Sequence, residues 1–171
     1  MILSVHAVFG AAVAGMVPSH PMAGFVLGFA SHFVLDAIPH RDYDLISVES
    51  GPGKKFQLVD LLQKKFALIR DMFLVSFDAL IGFCLAFVFF FNPVHPFIFF
   101  IGAFAALIPD GLTFLYLLLK HKPLGHFFDF HVSFIHTKLT LKLNQITGII
   151  LQFCTVGVII AIMVGVKYLL I

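Results

Sequence analysis

Residues 69–91, 97–119 and 146–171 are three long runs in which almost every side chain is apolar. A bilayer core is about 30 Å thick, so a helix of about 20 apolar residues crosses it. Backbone amides inside lipid find no water, and within a single apolar segment only a helix satisfies them. These runs commit the chain to helices packed in a membrane. Two shorter apolar runs, residues 2–17 and 22–38, come before them. Each gives a helix of roughly 25 Å, at the lower limit for a span. The expectation is an all-α, polytopic integral membrane helical bundle of about five transmembrane helices. Its first two form a tight hairpin that crosses a thinned bilayer or, alternatively, re-enters it. Small residues in the hairpin, Gly24 and Gly28 among them, let helices approach closely.

Composition agrees. The chain is 60% hydrophobic and 12% charged with a mean hydropathy of +1.04, whereas soluble domains are about half apolar and a quarter charged. No basic stripe is interleaved with aromatics, which argues against nucleic acid as a partner. Cys84 and Cys154 both fall in apolar runs and are expected as buried free thiols outside any disulfide framework. The start of the chain lacks the basic region and small-residue cleavage site of a secretory signal and is expected to be a membrane segment.

Residues 1–171 divide into a hairpin (1–40), a basic loop (41–68), a second hairpin (69–119), a His-rich loop (120–145) and a last span (146–171). The basic loop holds Arg41, Lys54, Lys55, Lys64 and Lys65 around Gly51-Pro52-Gly53. Apolar positions at Phe56, Val59, Leu62 and Phe66 suggest an interfacial helix over residues 56–68. Pro109-Asp110-Gly111 is expected to interrupt the fourth apolar run. Lys and Arg mark cytoplasmic loops. On that rule the N-terminus and both polar loops face the cytoplasm and the C-terminus lies outside.

This topology puts most ionisable groups in the cytoplasmic half. His32 and Asp36 are four apart and share a helix face. An imidazole and a carboxylate one turn apart can hold a divalent cation. His40, Asp42 and Asp44 follow. His6, Asp78 and Asp110 fall at similar depth on other helices, where unpaired carboxylates would be costly and normally face a partner or a cation. Asp78 could instead pair with Arg70 or a histidine. Asp71, beside Arg70, reads as structural. His131 and His136 are five apart, about 140° on an α-helix, so one regular helix would not aim both at one ion.

These pieces resemble a known family. Gly28-Phe29-Ala30-Ser31-His32-x-x-x-Asp36 is similar to the Gly-aromatic-x-Ser-His-x-x-x-Asp segment of the bacterial inner-membrane metal-dependent hydrolases (YdjM-like). His6-Ala7-Val8-Phe9-Gly10 resembles the family's N-terminal His-x-x-x-Gly, and Leu107-Ile108-Pro109-Asp110 its Leu-Pro-Asp. His131-Val132-Ser133-Phe134-Ile135-His136-Thr137 keeps the spacing of its His box. The Ser-His piece comes second here rather than last, and Gly111-Leu112-Thr113 stands where the family has a further Asp and His.

The resemblance implies a metal-dependent hydrolase in the cytoplasmic (inner) membrane of a bacterium. The expected metal ligands are His6, His32, Asp36 and Asp110, with His131 or His136 or both. His40, Asp42 and Asp78 are expected to assist, as proton acceptors or as ligands of a second ion. The expected cofactor is a divalent metal ion, zinc first, then manganese or iron. Basic loops would gather anionic headgroups, so the expected partner is membrane lipid and the expected substrate a lipid or lipid-linked phosphoester. A divalent-cation transporter or channel, or a non-catalytic membrane scaffold, are the alternatives. The sidedness has a direct check. In a background with Cys84 and Cys154 replaced by Ala, Gly53→Cys should react with a membrane-impermeant thiol reagent only from the cytoplasmic face, and Pro93→Cys only from the outer face.

Overall fold

A computed structural model describes residues 1–38, 40, 42–51, 54–58, 65–139 and 145–169. In chain order the elements are α1 (Leu3–Ala14), α2 (Pro21–Asp36), β1 (Val48–Gly51), β2 (Lys54–Leu58), α3 (Lys65–Phe90), α4 (Ile98–Leu119), α5 (Lys122–Phe128), a π-helix (Asp129–Leu139) and α6 (Gln145–Leu169). Three stretches are long and apolar enough to cross a membrane: α3, α4 and residues Ile146–Met163 of α6. The protein is an integral membrane helical bundle.

Among the described residues three of the expected five apolar helices are long enough to span. α1 has 12 residues and α2 has 16, about 18 and 24 Å, short of a ~30 Å core. α1 is not a lipid-facing helix. Most of its residues are buried, and it packs against α2, α3, α4 and α6. Small side chains allow this. A Cβ on Gly28 would lie 2.6 Å from the Gly102 carbonyl, and one on Gly82 would lie 2.7 Å from Ser4 Cα. The apolar centre is correspondingly fine-grained: Ala7, Ala11, Ala86 and Ala103 are fully buried, with Phe83, Phe90, Phe99 and Leu107 around them. The bulk is turned outward instead, for example at Phe73, Phe77, Val88, Phe153 and Ile162, where lipid supplies the apolar surroundings. Cys84 and Cys154 are free, as expected, but exposed on these outer faces rather than buried.

Sequence explains the start of α2 and the turn that follows α3. α2 starts with Pro21, whose missing N–H is harmless in the first turn. Between α3 and α4, Asn92 Oδ1 accepts from the Val94 and His95 amides at 2.9 and 3.3 Å and folds the chain back.

Three local expectations change. α4 runs unbroken through Pro109, because a proline removes one backbone donor and the rest of the ladder can persist. Residues 56–58 are strand, not the start of an interfacial helix. β1 and β2 pair antiparallel, Val48 opposite Leu58 and Glu49 opposite Gln57, and the turn residues between them favour a hairpin over the short helical pattern. Residues 59–64, where Val59 and Leu62 fall, lie outside the described residues. Within the His-rich stretch, residues 140–144 lie outside the described residues, and residues 122–139 are not a loop but α5 followed by the π-helix. Phe33 of α2 holds it down through Phe127 and Phe130, at ring-centroid distances of 6.2 and 5.5 Å.

The close helix approach yields a stability test. Gly28→Ala should lower unfolding stability in detergent by about 1–3 kcal/mol, because its methyl group meets backbone that cannot move aside. Gly157→Ala, with nothing within 4 Å of the added carbon, should be neutral or stabilising by up to about 1 kcal/mol.

Candidate metal centre

Four elements converge at one end of the bundle. α1 brings His6; α2 brings His32 and, one turn on, Asp36; α4 brings Asp110; and the π-helix brings His131. His6, His32 and Asp36 have no exposed surface and His131 has 1%. Asp36 is the hub. Its Oδ2 lies 2.9 Å from His32 Nε2 and 3.0 Å from His131 Nε2. Its Oδ1 lies 3.1 Å from His6 Nε2. Asp110, whose side chain is 33% exposed, places Oδ1 at 3.7 Å from His32 Nε2 and 3.9 Å from His131 Nε2.

The protons on these rings decide what the cluster can hold. His32 Nδ1 is 2.8 Å from the Ala106 carbonyl, which can only accept. The Nδ1 position therefore carries the proton, and a neutral ring has a bare Nε2. His131 Nδ1 is 2.8 Å from Thr113 Oγ1, and that hydroxyl donates to the Pro109 carbonyl at 3.0 Å. His131 Nδ1 is then the donor, and its Nε2 is bare too. The two bare nitrogens are 2.9 Å apart, and each is close to the same carboxylate oxygen. An extra proton would relieve one pair of facing lone pairs. A divalent cation would bring all three atoms to one centre at once. Outer hydrogen bonds that fix the tautomer of each imidazole are a regular feature of metal sites.

His6 adds a second sign. Its ring stacks on His32 at a centroid distance of 4.0 Å. Neither of its nitrogens has a hydrogen-bond partner among the described residues; Nε2 is near Asp36 Oδ1 but points badly for a hydrogen bond. A fully buried imidazole with no partner is costly. Two groupings have donor atoms all within 4.8 Å of one another and suit a metal ion: His32, Asp36 and His131, and His6, His32 and Asp110.

At the rim, His40 Nε2 is 3.0 Å from Asp42 Oδ1 and 3.9 Å from Asp36 Oδ1. The Met1 ammonium group lies 3.1 Å from Asp36 Oδ1 and 2.7 Å from Asp42 Oδ1. Beside Asp42 opens a cavity of about 270 Å³, walled by Ile2, Tyr43, Ile149 and Phe153 with Asp44 and Gln152 at its polar edge.

Of the residues expected from sequence, His6, His32, Asp36, Asp110 and His131 come together, with His40 and Asp42 beside them. His136 lies on the same π-helix. That helix does not have the 3.6-residue turn on which the 140° separation depended, and the His136 side chain is outside the described residues. Asp78 is elsewhere. Its Oδ2 accepts from the Ser4 amide at 2.8 Å and from the Tyr43 hydroxyl, which itself accepts from the Leu3 amide at 2.7 Å. Asp78 and Tyr43 thus cap the start of α1, where backbone N–H groups lack helical partners. Burial, with the Asp78 carboxylate alongside, pushes the Tyr43 hydroxyl above its ordinary range. Asp71 is structural as expected, tying down Arg70 and the Ser47 amide, both at 2.7 Å.

Sequence reasoning missed Thr113 and Tyr43. Thr113 has a weak signal, a hydroxyl four residues after Pro109 on the face that carries Asp110. Tyr43 has none beyond its place in a polar loop.

Comparison with protein-family models, with curated proteins and with solved structures gives no match for this chain. The likeness to the hydrolase family therefore rests on the motif residues themselves.

The two roles of the aspartates separate experimentally. Asp78→Ala should cost about 1–3 kcal/mol of stability, the price of one orphaned amide and one orphaned hydroxyl. It should leave divalent-ion affinity within about twofold, read by titration calorimetry on the folded protein, whereas removal of a group that orients a ligand costs about 10–100-fold.

Proposed function

We propose that this protein is a metal-dependent hydrolase of a bacterial cytoplasmic membrane, acting on a lipid or lipid-linked phosphoester at the inner surface. The observation that carries the reading is the triangle of Asp36 Oδ2, His32 Nε2 and His131 Nε2, with sides of 2.9 to 3.0 Å and both imidazole protons committed outward. His32, His131 and Asp36 would hold a divalent ion there, zinc first and manganese or iron next, which would supply an activated water and polarise a phosphoryl or acyl oxygen. His32 and His131 are held for the ion by Ala106 and Thr113. Asp110 and Asp42 are the half-exposed carboxylates at the mouth, where substrate arrives and where a proton leaving water can be taken up. The apolar cavity beside Asp42 suits a substrate with a hydrocarbon portion. The basic residues of the two polar loops would gather anionic headgroups. The motif resemblance supports the same class. In this reading α1 and α2 form a short hairpin that completes a five-helix membrane domain, and the basic loops face the cytoplasm.

A cation transporter would use the same ligands, and it needs a route onward. Beyond His6 and His32 the bundle axis is closed by the Ala7, Ala11 and Ala103 contacts and by Gly10 and Gly28 against Gly102. Among the described residues no ionisable side chain continues the path toward the turns at residues 15–20 and 92–97. This favours chemistry at one face over passage.

The test is a lipid-extract panel incubated with purified protein and read by mass spectrometry. Conversion of a phosphoester should stop with a chelator and return with added metal. It should fall at least 100-fold in Asp36→Asn, which keeps the shape and removes the charge, while Thr113→Val should weaken metal affinity by about 10–100-fold. A metal-loaded protein that converts nothing in the panel and moves divalent ions into liposomes would sink the proposal.

A further inference from the structure

The geometry points to a second cation position that shares Asp36 with the first, so that this carboxylate bridges two ions. The inference rests on the reading of the cluster as a metal centre. Asp36 Oδ2 is taken up by His32 and His131. Its Oδ1 faces the other way, toward His6 at 3.1 Å, the Met1 ammonium at 3.1 Å and His40 at 3.9 Å.

His40 repeats the pattern of the inner histidines. Its Nδ1 is 2.7 Å from the Ile38 carbonyl and must donate to it, so a neutral ring has a bare Nε2. That bare nitrogen is 3.0 Å from Asp42 Oδ1, another acceptor. These acceptors, with Asp36 Oδ1 beside them, are joined by positive charge, supplied by a second proton on His40 or by a neighbouring cation. The Met1 ammonium sits there now, 2.7 Å from Asp42 Oδ1. A divalent ion would displace it, since the same carboxylates attract a double charge more strongly. His6 is the independent sign. It is fully buried, has no hydrogen-bond partner for either ring nitrogen among the described residues, and brings Nε2 to the same Oδ1. The first ion would have His32, His131 and Asp36 Oδ2; the second would draw on Asp36 Oδ1, His6, His40 and Asp42, with Asp110 and His32 also within reach of His6. A carboxylate shared in this way suits displacement at a phosphoryl group, in which one ion stabilises the attacking oxygen and the other the leaving oxygen.

Manganese is the probe, because neighbouring Mn²⁺ ions couple magnetically. Wild-type protein equilibrated with Mn²⁺ and freed of excess should hold two ions per chain by elemental analysis and give the multiline electron paramagnetic resonance spectrum of a coupled pair. The double variant His40→Gln/Asp42→Asn, altered only at the rim and checked for folding by gel filtration, should hold one ion and give the six-line spectrum of an isolated centre. A wild-type protein that holds a single ion, or two uncoupled ones, overturns the second position; lipid conversion by that single-ion protein would leave the hydrolase reading standing. A double variant that still holds two coupled ions also overturns the assignment. Protein that holds no ion overturns both readings.

Discussion

Asp36 is an ionisable carboxyl group with no exposed surface, at the end of a helix in a membrane protein. An unpaired carboxylate in such surroundings is costly enough to unfold the site or to lose its charge. The surrounding architecture answers that cost. Three histidines from three elements, a fourth from the segment after α2, and the Met1 ammonium are all drawn within 4 Å of its two oxygens. α1 can reach the centre of the bundle because its side chains are small. α4 supplies two backbone carbonyls and a hydroxyl that fix the ring tautomers. The π-helix presents His131 from above.

Proline 109 links the fold to the site. It leaves α4 continuous but without the N–H that the Ala105 carbonyl would normally receive. In the turns beside this defect, the Ala106 and Pro109 carbonyls accept from His32 and Thr113. A distortion that would weaken a helix in isolation sits where polar side chains supply hydrogen bonds. Asp110, next in the chain, is thereby held at the mouth of the cluster. The same turns explain why the site is one-sided. Toward the other end of the bundle the helices meet through Gly and Ala with no room for a polar side chain.

Asp78 shows how a shared expectation can separate in three dimensions. Asp36, Asp78 and Asp110 look alike in sequence: single carboxylates within apolar runs. In the folded chain Asp36 and Asp110 meet imidazoles, and Asp78 meets the first amides of α1. The buried cost of a carboxylate can be met by cations or by backbone donors, and the sequence does not say which neighbours a helix will have.

The sequence by itself determined the membrane setting, the bundle of helices, the pairing of His32 with Asp36 on one face and the set of residues worth watching. Each of these follows from a local rule: apolar length, helical period, or the cost of charge in lipid. Only the tertiary structure decided that α1 is a short helix buried among its neighbours, that α4 passes Pro109 unbroken, and that residues 122–139 are helical. It alone brought His131, ninety-five residues from Asp36, to 3.0 Å, and assigned Thr113 and Tyr43 their partners. The reason is physical. Helix formation inside lipid is fixed by the segment's own backbone, whereas helix order, depth and ring orientation are fixed by which small side chains let helices touch and which buried polar atoms must find one another.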